Sequence, residues 1–150
     1  MQETATTARP KGALKTKFIS HATIEAADMA ASKKFYEEFL GFEVIYMSPH
    51  ALCLRLGGKN AIVCVRTANR AAMTLANHNG IDVATRADVD EAYARCQAEA
   101  ETWGLHKITQ PKDQHGNYSF YFWDRDNNCW EILANPPGGY SDLFDKERKD

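Results

Sequence analysis

The stretch 18-FISHATIEA-26 aligns with 75-LANHNGIDV-83, which places His78 over His21 and Ile81 over Ile24. The pattern of elements after each stretch repeats as well, and an internal repeat governs the reading of the whole chain. The β-branched and aromatic run 17-KFISHATI-24 predicts a strand with Ile19, His21 and Thr23 on one face. A helix should come next, with Asp28 as N-cap. Met29, Ser32, Phe35, Tyr36, Phe39 and Leu40 recur at helical spacing, and Gly41 stands where a C-terminal glycine belongs. Three short strands are expected at Glu43–Ser48, Ala51–Leu56 and Ala61–Arg66, separated by Pro49 and by Gly57-Gly58.

The second unit has the same order. After the strand 75–83, a helix is expected to start at Asp88, with Glu91 at capping-box spacing and a buried stripe of Val89, Ala92, Tyr93, Cys96, Ala100 and Trp103 before Gly104. Strands are read at His106–Gln110, Tyr118–Trp123 and Cys129–Ala134, with a tight turn through Asp126-Asn127-Asn128. The expected fold is therefore α+β: two βαβββ repeats, residues 17–66 and 74–134, forming a curved mixed sheet in a single domain. Residues 1–16 are too polar to pack and read as a flexible tail. Residues 135–150, NPPGGYSDLFDKERKD, read as a C-terminal arm.

Composition limits the function. The 150 residues are 44% hydrophobic, enough for one buried core. Eighteen basic against twenty acidic residues leave a charge of -2, so no positive field exists to hold nucleic acid or an anionic membrane, and a small-molecule partner is expected. No apolar run reaches about 18 residues, and the first residues lack the apolar core of a secretory signal, which points to the cytosol. Cys53, Cys64, Cys96 and Cys129 are dispersed and read as reduced thiols.

Three residues stand out. If the two sheets curl toward each other, His21 and His78 converge from equivalent strands. Glu131 shares a face with Cys129 and Leu133, while Trp130 and Ile132 turn to the helices. A carboxylate on a covered face is costly unless paired or metal-bound. A lone strand histidine is more often a hydrogen-bonded structural residue than a ligand; the repeat is what sets these two apart. Two imidazoles and one carboxylate on rigid strands suit a divalent ion with open coordination positions. His50 and His106 read as solvent-facing or structural, and His115 is intermediate between a structural and a catalytic role.

With those residues in place, the chain is identified as resembling the vicinal oxygen chelate superfamily, which includes glyoxalase I, extradiol dioxygenases, fosfomycin-resistance thiol transferases, methylmalonyl-CoA epimerase and bleomycin-sequestering proteins. The resemblance covers residues 17–134 and rests on SHATIEAADMAASKKFYEEFLGFEV, NHNGIDV and SFYFWDRDNNCWEIL. Arg125 and Asn127 replace the usual proline and glycine of the last turn, where asparagine still tolerates a left-handed backbone. The resemblance implies a divalent metal held by His21, His78 and Glu131, Fe(II) first, with Mn, Zn or Ni also accepted. It also implies a homodimer, with the Pro136–Gly139 arm reaching the partner.

Departures narrow the chemistry that the resemblance implies. The fourth ligand of glyoxalase I is missing from 61-AIVCVR-66, and the basic residues that hold a phosphonate are scarce, Lys112 being the one candidate left. Tyr121 stands ten residues before Glu131, as in extradiol dioxygenases. The expectation is thus oxygen-dependent cleavage of a small ortho-dihydroxy aromatic, with Tyr121 and His115 catalytic, and Thr23, Tyr118 and Trp123 binding substrate. Tyr118 and Tyr121 are read as sharing one face. The alternatives are a thiol transferase, a glyoxalase-like lyase or isomerase, and a non-catalytic drug-binding protein.

Overall fold

The computed structural model describes residues 12–147. The tail expected over residues 1–16 thus falls mostly on residues outside those described. β1 (His21–Ala26), α1 (Met29–Lys34), a π-helical turn (Phe35–Phe39), β2 (Glu43–Ser48), β3 (Ala51–Arg55) and β4 (Ala61–Arg66) make the first unit. β5 (Asn79–Asp82), α2 (Arg86–Ala98), α3 (Ala100–Trp103), β6 (Lys112–Gln114), β7 (Asn117–Trp123) and β8 (Cys129–Ala134) make the second. The expected arm contains a further short helix, α4 (Ser141–Glu147).

Each unit is a separate four-stranded mixed sheet, ordered β1-β4-β3-β2 in one and β5-β8-β7-β6 in the other. The registers match across the repeat. Thr23 lies opposite Val63 on the parallel pair β1 and β4, and Gly80 lies opposite Glu131 on β5 and β8. Since His21 aligns with His78, Val63 occupies in the first repeat the place that Glu131 holds in the second.

Both first strands are shorter than the alternation suggests. β1 begins only at His21 because its partner β4 begins at Ala61, just after the Gly57–Asn60 turn. The segment before β5 is a turn instead of a strand: the Asn77 amide donates to the Thr74 carbonyl at 3.0 Å, and the ladder starts at Asn79. The strand expected at His106–Gln110 is reduced to one bridge between His106 and Trp123. Lys107 takes a left-handed φ of 50°, which interrupts the ladder; the Thr109 amide still donates to the Tyr121 carbonyl at 2.9 Å, and regular pairing resumes at Lys112.

Helices α1 and α2 start on side-chain caps. Asp28 Oδ1 accepts from the Ala30 and Ala31 amides at 3.0 Å each, as expected. The second helix starts earlier than Asp88. Thr85 is the N-cap, and Asp88 closes the box from the N3 position by accepting from the Thr85 amide at 2.8 Å.

One core joins the two sheets. Ile24, Leu52, Leu54 and Cys64 of the first meet Phe120, Phe122, Trp130 and Ile132 of the second, with Tyr36 and Val89 from the helices between them. Tyr36 and Phe42 each place a ring 5.9 Å from that of Trp130. The turn after β7 bolts the units together. Asp126 Oδ1 accepts from the Ala27 amide at 3.0 Å and pairs with Arg70 Nε at 2.9 Å, while Asn128 donates to the Glu25 carbonyl at 2.9 Å. Asn127 takes φ 65° there, the left-handed conformation expected of it. Burial pushes the Asp124 carboxyl up from its ordinary value, opposed by hydrogen bonds from Trp130, Asn128 and Asp126.

Candidate metal centre

The antiparallel register of β7 and β8 sets Tyr121 opposite Glu131 and Trp123 opposite Cys129. Alternation then puts Ser119, Tyr121 and Trp123 on the same face as Cys129, Glu131 and Leu133. That face is buried: Glu131 is only 5% exposed.

His78, one residue before β5, reaches back over it. Its Nε2 lies 3.1 Å from Glu131 Oε2, and its Nδ1 lies 2.6 Å from the Leu75 carbonyl oxygen. A carbonyl only accepts, so Nδ1 carries the proton, and in the neutral imidazole Nε2 presents a lone pair to the carboxylate. Two lone pairs facing each other need a cation between them, either a proton or a metal ion. A backbone carbonyl behind one ring nitrogen is also how metal-bound histidines are usually oriented. Two ligand atoms about 2.1 Å from an ion and at right angles stand about 3 Å apart, which matches this pair. His78 Nε2 and Glu131 Oε2 would supply two of the ligands of a divalent ion.

The other oxygen of the carboxylate, Oε1, accepts from Ser119 Oγ at 2.6 Å. Ser119 in turn receives Gln114 Nε2 at 2.8 Å. Sequence reasoning passed over both residues, although the parity of Ser119 with Tyr121 places its hydroxyl on the Glu131 face. Gly80 leaves the flank of the pair open: a Cβ there would meet Leu133 Cδ2 at 3.2 Å and Glu131 Oε2 at 3.9 Å.

Tyr121 stands edge-on to the His78 ring, centroids 5.0 Å apart. Burial first, and then the Glu131 carboxylate beside it, push its phenol up to about 12, so it keeps its proton at neutral pH. Trp123 donates from Nε1 to the Met73 carbonyl at 2.7 Å, and Met73 packs on Tyr121, Trp123 and Cys129. Burial pushes the Cys129 thiol up to about 11.

The remaining expected residues are not gathered here. His21, at the exposed start of β1, has its ring at 2.8 Å from Ser20 Oγ, and among the described residues no group of three His, Cys, Asp or Glu side chains could hold a metal. Thr23, also exposed, faces a cleft of about 380 Å³ whose other wall includes Asn77 and Asn79. His115 sits exposed, with φ 53°, in the turn joining β6 to β7, at the opposite end of β7 from Trp123. Tyr118 does not share the face of Tyr121, because a separation of three residues inverts the side of a strand. Its hydroxyl donates to Asp90 of α2 at 2.7 Å and the Arg86 guanidinium lies 3.9 Å from its ring centre.

A family model described as the Glyoxalase/Bleomycin resistance protein/Dioxygenase superfamily matches residues 18–132. The chain belongs to this superfamily. No curated protein sequence matches it significantly. Among solved structures, the fosfomycin resistance protein FosX from Listeria monocytogenes in complex with Mn(II) and sulfate is 21% identical; the match covers 86% of this chain and 98% of FosX, with TM-score 0.67. A possible glyoxalase from Bacillus cereus is 18% identical over 79% of this chain and 99% of its own, with TM-score 0.64. Lactoylglutathione lyase from Agrobacterium tumefaciens is 19% identical over 81% and 96%, with TM-score 0.58. At these identities the likeness establishes the vicinal oxygen chelate fold, and the superfamily contains many enzymes. Among the described residues no helix is long and apolar enough to cross a membrane.

Proposed function

We propose that the protein is a metal-dependent enzyme that binds a small substrate through two neighbouring oxygens, with the ion held by His78 and Glu131 and by His21 of a second copy of the chain. The observation that carries this reading is His78 Nε2 facing Glu131 Oε2 at 3.1 Å, with the outer atoms of both side chains already committed. FosX, which shares the fold, is named as binding Mn(II), which supports a divalent ion here. A bound ion would act as a Lewis acid on the two substrate oxygens.

The second copy is inferred from the first sheet. Ile45 and Met47, on the same side of it as the β1 histidine, are 65% and 60% exposed, a surface that calls for a cover. Mixing His21→Ala chains with Glu131→Ala chains tests it. A shared site restores about a quarter of the metal-binding sites, because half the dimers are mixed and each regains one of two sites. No recovery, with subunit exchange verified by mass, would end the trans arrangement.

Within this class we favour Fe(II)-dependent cleavage of a small ortho-dihydroxy aromatic. Tyr121, Trp123 and Met73 form an aromatic and thioether wall suited to a planar ring. Arg70 pairs with Asp126, Arg86 with Asp113 and Arg95 with Glu99, so these three guanidiniums are already engaged by carboxylates. With His115 in a distant turn, Tyr121 alone of the two expected groups can hold or deliver a proton beside the ion. A second reading, addition of water or a thiol to an epoxide, is favoured by that same phenol, whose retained proton suits an oxygen leaving carbon. Protein loaded anaerobically with Fe(II) should consume one O2 per catechol. Inertness toward a catechol panel, with turnover of an epoxide by the Mn(II) form, moves the assignment to the second reading.

A further inference from the structure

We infer that Ser119 and Gln114 set the way Glu131 meets its ion, holding one carboxylate oxygen so that Glu131 binds through Oε2 alone. This rests on the metal reading above. Ser119 is wholly buried and its hydroxyl has a single proton to give. Gln114 Nε2 lies 3.2 Å from the Ser119 carbonyl oxygen as well as 2.8 Å from Oγ. Because that carbonyl can only accept, the Gln114 atom facing it must be the amide nitrogen, and it donates to the hydroxyl too. The Ser119 proton is therefore left for Glu131 Oε1, at the 2.6 Å typical of a hydroxyl on a charged oxygen. Oε2 is the oxygen that remains, and it is the one facing His78.

The consequence is a free coordination position. A carboxylate that grips with both oxygens takes two positions, and one gripping through a single oxygen leaves one more for a substrate that itself brings two oxygens. Ser119 and Gln114 are positioning residues in this arrangement, and neither touches the ion.

The test uses the purified full chain, Mn(II) as probe, and two readouts. Mn(II) affinity is measured by titration calorimetry, and Glu131 is read as the infrared difference between carbon-13 glutamate-labelled wild type and labelled Glu131→Gln protein. Ser119→Ala should weaken Mn(II) binding about 10- to 100-fold and narrow the splitting of the Glu131 carboxylate stretches to the two-oxygen pattern. Ser119→Thr should restore both, and Gln114→Leu should fall between. Unchanged affinity and splitting in Ser119→Ala would overturn the inference. The metal-free spectra separate it from the metal reading: loss of the Ser119 hydrogen bond must shift the Glu131 band even without Mn(II). A wild type that fails to bind Mn(II) ends the metal reading and this inference with it, whereas Mn(II) binding by the wild type with an unmoved metal-free band in Ser119→Ala overturns this one alone.

Discussion

The two repeats share a topology and a register, yet treat corresponding faces in opposite ways. In the second sheet the face bearing Glu131 is buried, with Ser119, Cys129 and Leu133 at 0%, 0% and 3% exposure. In the first, the face bearing His21 is open, and Val63 stands where Glu131 stands in its counterpart. Thr23 likewise takes the place of Gly80. A buried carboxylate demands hydrogen-bond donors and a counter-charge; in the second repeat Ser119 donates to one oxygen and His78 Nε2 stands 3.1 Å from the other. The first repeat has no carboxylate there to satisfy, so its face is free to serve as a surface. The two repeats thus differ in one face: buried around a carboxylate in the second, open and without a carboxylate in the first.

Removing a ligand should have the largest effect. His78→Ala and Glu131→Ala should each abolish stoichiometric Mn(II) binding in equilibrium dialysis, with the circular dichroism spectrum kept, whereas Val63→Ala should bind as wild type does. Loss of metal from Val63→Ala would break the asymmetry.

Next comes acid–base chemistry. Tyr121→Phe should lower turnover by about 100- to 10,000-fold with metal content unchanged, while Tyr118→Phe, on the helix side, should change it little. The folded-state value of Tyr121 lies above that of a free phenol. Its proton therefore stays in place as pH rises through 10 and is lost only toward about 12. Any stability it contributes is complete below the free-phenol value and falls over the same interval. A pH-rate profile whose Tyr121-dependent limb fell well below pH 10 would contradict this.

A smaller effect is expected at Gly80, where the two repeats differ by a side chain. Gly80→Thr copies the first repeat and crowds Leu133 and Glu131; Mn(II) affinity should drop about 10-fold, at the low end of what disturbing a ligand's surroundings costs. Wild-type affinity would show that the flank is not tight.

The smallest difference should lie at the helix starts. Asp28→Ala and Thr85→Ala each remove one cap and should each cost about 1 kcal/mol in denaturant unfolding, because the repeats are alike at this point. A cost confined to one repeat would show that the units differ in more than their faces.

The features legible in the chain were those set by local physics. Periodicity marked both helices and the strands from Glu43 to Arg66 and from Tyr118 to Ala134, because burial of one face leaves a trace every two or every three to four residues. It also placed Glu131 with Cys129 and Leu133, turned Trp130 and Ile132 to the core, and allowed Asn127 its left-handed turn. Strict alternation would likewise have put Tyr118 opposite Tyr121 and Ser119 beside it. The late start of β1, the loss of the strand after His106 and the cap at Thr85 depended on which neighbours were present to pair, which no single segment records.

Sequence by itself thus determined the duplicated βαβββ plan, the superfamily and the histidine and carboxylate that face each other, since each is carried by residue type at fixed spacing. Only the tertiary structure decided that His21 stands apart from His78 and Glu131, that His115 lies at a distant turn, and that Ser119 and Gln114 hold the carboxylate. Those outcomes depend on how two sheets pack through one core around Trp130. Packing is a property of surfaces distant in sequence, so periodicity within either repeat carries no record of it.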